Sequence, residues 1–201
     1  MCAIGGIVRK ELINKHHLEI LDKIIDVQLN RGPDQQNSFI NKNVAVCVNR
    51  LIIRDEIYGK QPYISEDGEI VICFNGEIYN YKSLYKEFYP DKVESEYSEV
   101  ELLCLLYSDY GISFAEKLNG MFAIAVLDLK SDNLILIRDF FGEKPIYYYK
   151  NDDTFVFASE LKSLLESKIV AFQIDKHLLC EFMNLGFVRE PNTLIVNVKK
   201  I

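Results

Sequence analysis

Apolar positions along this chain recur with two periods, and the switches between them mark out its elements. Residues 3–9 are apolar and β-prone up to Arg9-Lys10, which predicts a first strand with Cys2 directly in front of it. Leu18, Leu21, Ile24, Ile25 and Leu29 then follow at helical spacing and predict a helix over 16–29, stopped by Asn30-Arg31-Gly32-Pro33-Asp34. Two further β-prone runs, 44–53 and 69–74, are separated by Gly59, Pro62 and Asp67-Gly68, and are expected to pair in one sheet. Asn75-Gly76 is expected to close the second run, ahead of a helix over 79–88. Val100, Leu103, Leu106 and Tyr110 line one side of another helix that should end at Gly111.

Beyond Gly111 the pattern shortens. Runs at 121–127, 134–137, 146–149 and 155–158, joined by turn residues, predict an antiparallel sheet, and helices are expected at about 160–166 and 175–185. Helices therefore bracket two groups of strands, which implies an α+β chain with two sheets face to face and helices outside.

With 201 residues, 49% of them hydrophobic, the chain can bury a core as one domain or one plus a fragment. No stretch approaches the length of a membrane span and no basic-then-apolar leader opens the chain, so a cytoplasmic protein is expected. The net charge of −7, with both signs interspersed, offers no basic stripe for a phosphate backbone, so nucleic acid is excluded as a partner. The cysteines at 2, 47, 73, 104 and 180 are odd in number and widely spaced, so buried reduced thiols are expected over disulfides. His16, His17 and His177 have no metal-ligand spacing and read as solvated helix residues.

Candidate chemistry begins at Cys2. Once Met1 is cut off, Cys2 carries both a thiol and an α-amine, and a free α-amine titrates close enough to neutrality to take a thiol proton without a histidine. The alternative is a small residue that suits aminopeptidases and starts a strand. Asn75 and Gly76 can supply a side-chain amide and a backbone N–H to a developing oxyanion, or form a plain turn. Arg50 lies in an otherwise apolar run, where its guanidinium needs a partner: a substrate carboxylate, or an ion pair with Asp34 or Asp55. Glu77 and Glu99 could together hold an ammonium group, or each be a solvated charge.

Taken jointly these clusters describe a receptor for an amino acid beside a thiol. The stretches Met1-Cys2-Ala3-Ile4-Gly5-Gly6, Arg31-Gly32-Pro33-Asp34, Arg50-Leu51, Gln61-Pro62, Phe74-Asn75-Gly76-Glu77-Ile78-Tyr79-Asn80-Tyr81, Asn119-Gly120-Met121-Phe122-Ala123, Arg138-Asp139 with Gly142 and Lys144-Pro145, and Phe157-Ala158-Ser159-Glu160 with Lys162 cover nearly the whole chain. In that order they resemble the class II glutamine amidotransferase domain, in its asparagine synthetase branch. The resemblance implies an N-terminal-nucleophile hydrolase fold, a four-layer αββα sandwich with two mainly antiparallel sheets between helices. It implies L-glutamine as substrate, hydrolysed to glutamate and ammonia through a thioester on Cys2. Asn75 and Gly76 would form the oxyanion hole, Arg50 would hold the α-carboxylate, and Glu77 with Glu99 the α-amino group.

Three departures from the family pattern stand out. Glu99 occupies a position where the family usually has Asp, so the receptor must repack or bind glutamine more weakly. Asn30 replaces a frequent His before Arg-Gly-Pro-Asp, which is expected to alter loop packing and not chemistry. Finally, residues 188–201 resemble the segment leading into a synthetase half, so the amidotransferase domain is expected over 1–187, with the tail poorly tied down. No phosphate cradle is present, Gly5-Gly6 belonging to the first strand, so no cofactor is expected in this chain. ATP and Mg would belong to an absent synthetase domain, C-terminal or separate, and the chain is compatible with a homodimer. The acceptor stays open between aspartate, a sugar or another carboxylate, as does a regulatory domain that keeps the fold without turnover.

Overall fold

A computed structural model of the chain describes residues 1–53 and 56–201. In chain order the described elements are β1 (Ala3–Arg9), α1 (Lys15–Gln28), β2 (Gln35–Asn41), β3 (Val44–Arg50), β4 (Tyr63–Ile64), β5 (Ile70–Ile78), α2 (Tyr81–Phe88), α3 (Glu99–Tyr110), β6 (Gly120–Asp128), β7 (Asn133–Arg138), β8 (Tyr147–Lys150), β9 (Thr154–Ala158), α4 (Leu161–Glu166), α5 (Lys176–Leu185) and β10 (Val198–Lys200). They build a six-stranded sheet in the order β10-β8-β9-β1-β3-β2 and a four-stranded sheet in the order β4-β5-β6-β7. All the strand pairs are antiparallel. The sheets stack with α1 and α4 on the outer face of the first and α2 and α3 on the outer face of the second, the expected αββα sandwich.

Period-2 alternation assigns each side chain to a layer. On β3, Ala45 and Cys47 point to α1, whereas Val44, Val46 and Val48 point between the sheets. On β5, Ile70, Ile72 and Phe74 pack under α3, whereas Val71 and Cys73 point between the sheets. Ile4, Ala123, Ala125 and Phe157 complete the inter-sheet layer. Burying each large aliphatic or aromatic side chain there contributes about 1.5–3 kcal/mol.

The sheets are composed differently from the expectation. The runs at 44–50 and 70–78 do not pair with each other; β3 pairs with β1 and β2, β5 pairs with β4 and β6, and the two face one another across the core. Likewise β6 and β7 belong to one sheet and β8 and β9 to the other. The reason is that strands buried on both faces read as continuous apolar runs, which carry no signature of their partner. Asn75-Gly76 is not a turn: both residues lie inside β5, opposite Ala123 and Phe122. The polar β2 was invisible to apolar periodicity, and β10 was too short to register.

The tail is better anchored than expected. β10 pairs with β8, Ile195 and Val198 are buried, and Arg138 bonds Glu190 at 2.8 Å. His17 also departs from the expectation of a solvated residue, because it is buried as the third residue of α1, where it completes the capping box with the N-cap Asn14. Asn14 Oδ1 accepts His17 N–H at 3.3 Å, and His17 Nδ1 accepts Asn14 N–H at 3.2 Å. His16 and His177 are exposed. The five cysteines are free thiols, with Cys47, Cys73 and Cys104 buried. Burial pushes the Cys47 thiol up to about 12, so it stays protonated and inert. Among the described residues, no helix is long and apolar enough to cross a membrane.

Candidate active site

At one end of the sandwich the inter-sheet layer stops being apolar. The alternation that places Val44, Val46 and Val48 between the sheets next delivers Arg50, and the one that places Val71 and Cys73 there next delivers Asn75 and then Glu77. β1 begins at the same place, so Cys2 stands two residues before the inward Ile4. These residues line a cavity of about 120 Å³ together with Gly76 and Glu99. All six candidate residues, scattered over nearly 100 positions of sequence, thus share one cavity.

Several contacts fix the thiol. Cys2 Sγ accepts Leu51 N–H at 3.4 Å, and its carbonyl accepts Arg31 Nε–H at 3.3 Å. Arg31 in turn pairs with Glu160 at 3.5 Å, while Ser159 Oγ accepts Ile4 N–H at 2.9 Å. The Arg31-Gly32-Pro33-Asp34 and Ser159-Glu160 stretches therefore brace the strand end that carries the nucleophile. Gly32 is pressed onto β3, where a Cβ would lie 2.3 Å from Asn49 carbonyl oxygen and 2.6 Å from Arg50 N. Asn30 is exposed at the end of α1.

The edge of β5 beside the cavity is uncovered, because β4 reaches only Val71 and Ile72. Two N–H groups on that edge are met by side chains: Phe74 N–H by Gln61 Oε1 and Ile78 N–H by Glu99 Oε1, each at 2.6 Å. Gly76 N–H lies between them with the same parity, and among the described residues no side chain accepts from it. Gly is required there because a Cβ would sit 2.1 Å from Met121 carbonyl oxygen. Beside it, Asn75 is buried and its Nδ2 has no hydrogen-bond partner among the described residues. Two donors at the cavity thus have no acceptor among the described residues, and of the buried side-chain atoms left without a partner Asn75 Nδ2 alone belongs to a residue that lines it.

Arg50 is buried and donates from Nη1 to Gln35 Oε1 at 3.2 Å, its partner in the β2–β3 register. Asp34, one of the proposed ion-pair partners, spends its Oδ2 on Ile52 N–H at 2.7 Å; the other, Asp55, lies outside the described residues. Glu99 opens α3, where the helix dipole favours its charge, and Ser98 fastens that end to Tyr58 carbonyl oxygen at 3.0 Å. One oxygen of the Glu99 carboxylate is thus engaged by the β5 backbone at Ile78 N–H. Glu101 turns away to Lys92 at 2.7 Å, and Asn49 supports α1 through Ile25 carbonyl oxygen at 3.0 Å.

Gln61 and Lys144 also line the cavity, and neither was singled out as a site residue, although Gln61-Pro62 and Lys144-Pro145 lie in recognised stretches. Leu51 contributes only backbone to Cys2 and leaves no side-chain signal.

A family model described as a glutamine amidotransferase domain matches residues 1–201. Asparagine synthetase (glutamine-hydrolyzing) 2 of Bacillus subtilis (strain 168) is 37% identical over 166 residues, covering 82% of this chain and 22% of its own length. Asparagine synthetase (glutamine-hydrolyzing) 1 of the same organism is 37% identical over 212 residues, covering 100% of this chain and 32% of its own. The chain thus spans less than a third of the length of these relatives. A solved structure of the allosteric regulatory enzyme of purine biosynthesis shares the fold with a TM-score of 0.68 at 16% identity, over 83% of this chain and 43% of that one.

Proposed function

Because this chain belongs to the glutamine amidotransferase domain family, we propose that it hydrolyses the side-chain amide of L-glutamine to glutamate and ammonia, with Cys2 as nucleophile. The observation that carries this reading is the buried Asn75 Nδ2, without a hydrogen-bond partner among the described residues, on a cavity shared with the Cys2 thiol. A donor left unsatisfied in the resting protein is what an oxyanion hole requires, since its partner exists only during reaction.

Glutamine would enter with its α-carboxylate on Arg50 and its α-ammonium between Glu77 and Glu99, which carries the amide carbon toward Cys2. The Cys2 α-amine takes the thiol proton as Sγ bonds to that carbon, and Asn75 Nδ2 with Gly76 N–H receives the oxyanion. The same amine returns the proton to the leaving nitrogen, and ammonia departs from the γ-glutamyl thioester. Water then adds to the thioester, giving glutamate and the free thiol. With Met1 attached, Cys2 N is a resonance-stabilised peptide nitrogen without basic character, so turnover requires removal of Met1. The ammonia would feed an ATP- and Mg-dependent amidation in the part of the relatives outside this chain, with asparagine the product their names give.

The test is release of ammonia and glutamate from L-glutamine by wild type and Cys2→Ala, with the N-terminus read by intact mass spectrometry. Hydrolysis by mature wild type and none by the variant is expected. A mature N-terminus with no hydrolysis and no labelling of Cys2 by an electrophilic glutamine analogue would refute the reading.

A further inference from the structure

Lys144 is 5% exposed and lines the same cavity as Cys2 and Arg50. Its backbone is held rigidly, because the buried Asp139 carboxylate accepts the N–H groups of Lys144 at 3.0 Å and Glu143 at 2.9 Å. Its ammonium has one hydrogen-bond partner among the described residues, the thioether sulfur of Met1 at 3.0 Å. A thioether is a weak acceptor and offers no charge. No ion pair among the described residues includes Lys144.

A buried ammonium without a counter-charge is costly, so such a group is kept where an anion will come to it. Met1 is also the residue whose removal the reaction requires, and its departure takes away the one acceptor Lys144 Nζ has among the described residues. The sulfur is one side chain from Cys2 N, which puts Lys144 Nζ within roughly 9 Å of the nucleophile residue. Arg50 is already assigned to the α-carboxylate of the substrate. The other anion that the chemistry creates at Cys2 is the γ-carboxylate of glutamate, formed when water opens the thioester.

We propose that in the mature protein Lys144 is a second carboxylate anchor, which holds the γ-carboxylate of the product glutamate and so separates glutamate from the neutral side-chain amide of glutamine. The amide offers no charge to the ammonium, whereas the carboxylate gains a charge-assisted hydrogen bond in a site with little water. Glutamate release then becomes slower than it would be from a neutral pocket, and dicarboxylic amino acids of glutamate length act as product-like inhibitors. This inference rests on the glutaminase reading.

The experiment compares mature wild type, Lys144→Met and Lys144→Arg, each confirmed by mass to lack Met1 and by melting to be folded. The quantity read is the ratio of the glutamate inhibition constant to the KM for glutamine. The ratio should rise at least tenfold in Lys144→Met and stay within about threefold of wild type in Lys144→Arg. An unchanged ratio in Lys144→Met, or inhibition constant and KM rising together, overturns the proposal and leaves Lys144 a packing residue. Calorimetric titration of glutamate into Cys2→Ser, with and without Lys144→Met, reads the same anchor without turnover. Loss of glutamate affinity there upholds the anchor even if wild type hydrolyses no glutamine, whereas unchanged affinity overturns it.

Discussion

Replacing Asn75 by leucine should raise stability while abolishing most activity. Asn75 is 1% exposed, and its Nδ2 donor finds no acceptor among the described residues. A buried donor left in that state costs about 1–3 kcal/mol. Leucine branches at the same carbon and, being larger, can extend into the adjoining cavity, so no void opens, and the apolar inward neighbours Cys73 and Ala123 can pack against it. Allowing for imperfect fit of the branched side chain, a gain of about 1–2 kcal/mol is expected, which in a chain of this size moves Tm up by about 2–8 °C. Catalysis moves the other way, since loss of one oxyanion donor lowers kcat by about 10²–10³-fold. Thermal melts and ammonia release from glutamine, measured on the same mature sample, check both halves. If the variant melts several degrees lower, the Asn75 amide has a structural duty; if it hydrolyses glutamine at near the wild-type rate, the oxyanion assignment is wrong.

Glu99→Asp withdraws a carboxylate from Ile78 N–H, so it should cost about 1–3 kcal/mol in urea unfolding and raise the KM for glutamine; a lower KM at unchanged stability would contradict a supporting role for the Glu99–Ile78 bond. Gly32→Ala forces a Cβ into the β3 backbone beside Arg50, and should destabilise by at least about 1–3 kcal/mol, read in the same way, and weaken glutamine binding more than it slows turnover. Burial, then the neighbouring Arg9 and His16, lower the His17 pKa below its ordinary 6.5. The unfolded chain therefore binds the proton first, so the cap's contribution is complete above pH 6.5 and is lost as pH falls through the lower folded value. A His17→Gln variant should lack that part of the acid dependence of the urea midpoint; identical pH profiles would remove His17 as a titrating cap.

Much of the site was legible before any coordinates. Arg50 could be singled out because a guanidinium in an apolar run needs an explanation, and Cys2 because of its place behind Met1. Asn75-Gly76 was legible as chemistry but misread as geometry: its turn-like dipeptide suggested the end of β5, whereas the strand runs on to Ile78. That error matters, because only inside the strand does parity align Gly76 N–H with Phe74 and Ile78.

The sequence by itself determined the helices, the longer apolar strands and the arrangement of two sheets with helices outside, and singled out the six candidate residues, because spacing of apolar positions and residue chemistry are local properties; β2, β4 and β10 escaped it. Which sheet each strand joined, the burial of His17 and the position of Lys144 beside Met1 were decided only by the tertiary structure. Strands buried on both faces carry no mark of their neighbours, and a lysine's partner across more than a hundred residues is set by how the layers close. The polar cavity itself is a product of that closure: two alternating strands from different sheets turn from apolar to polar at the same height, and neither pattern shows it alone.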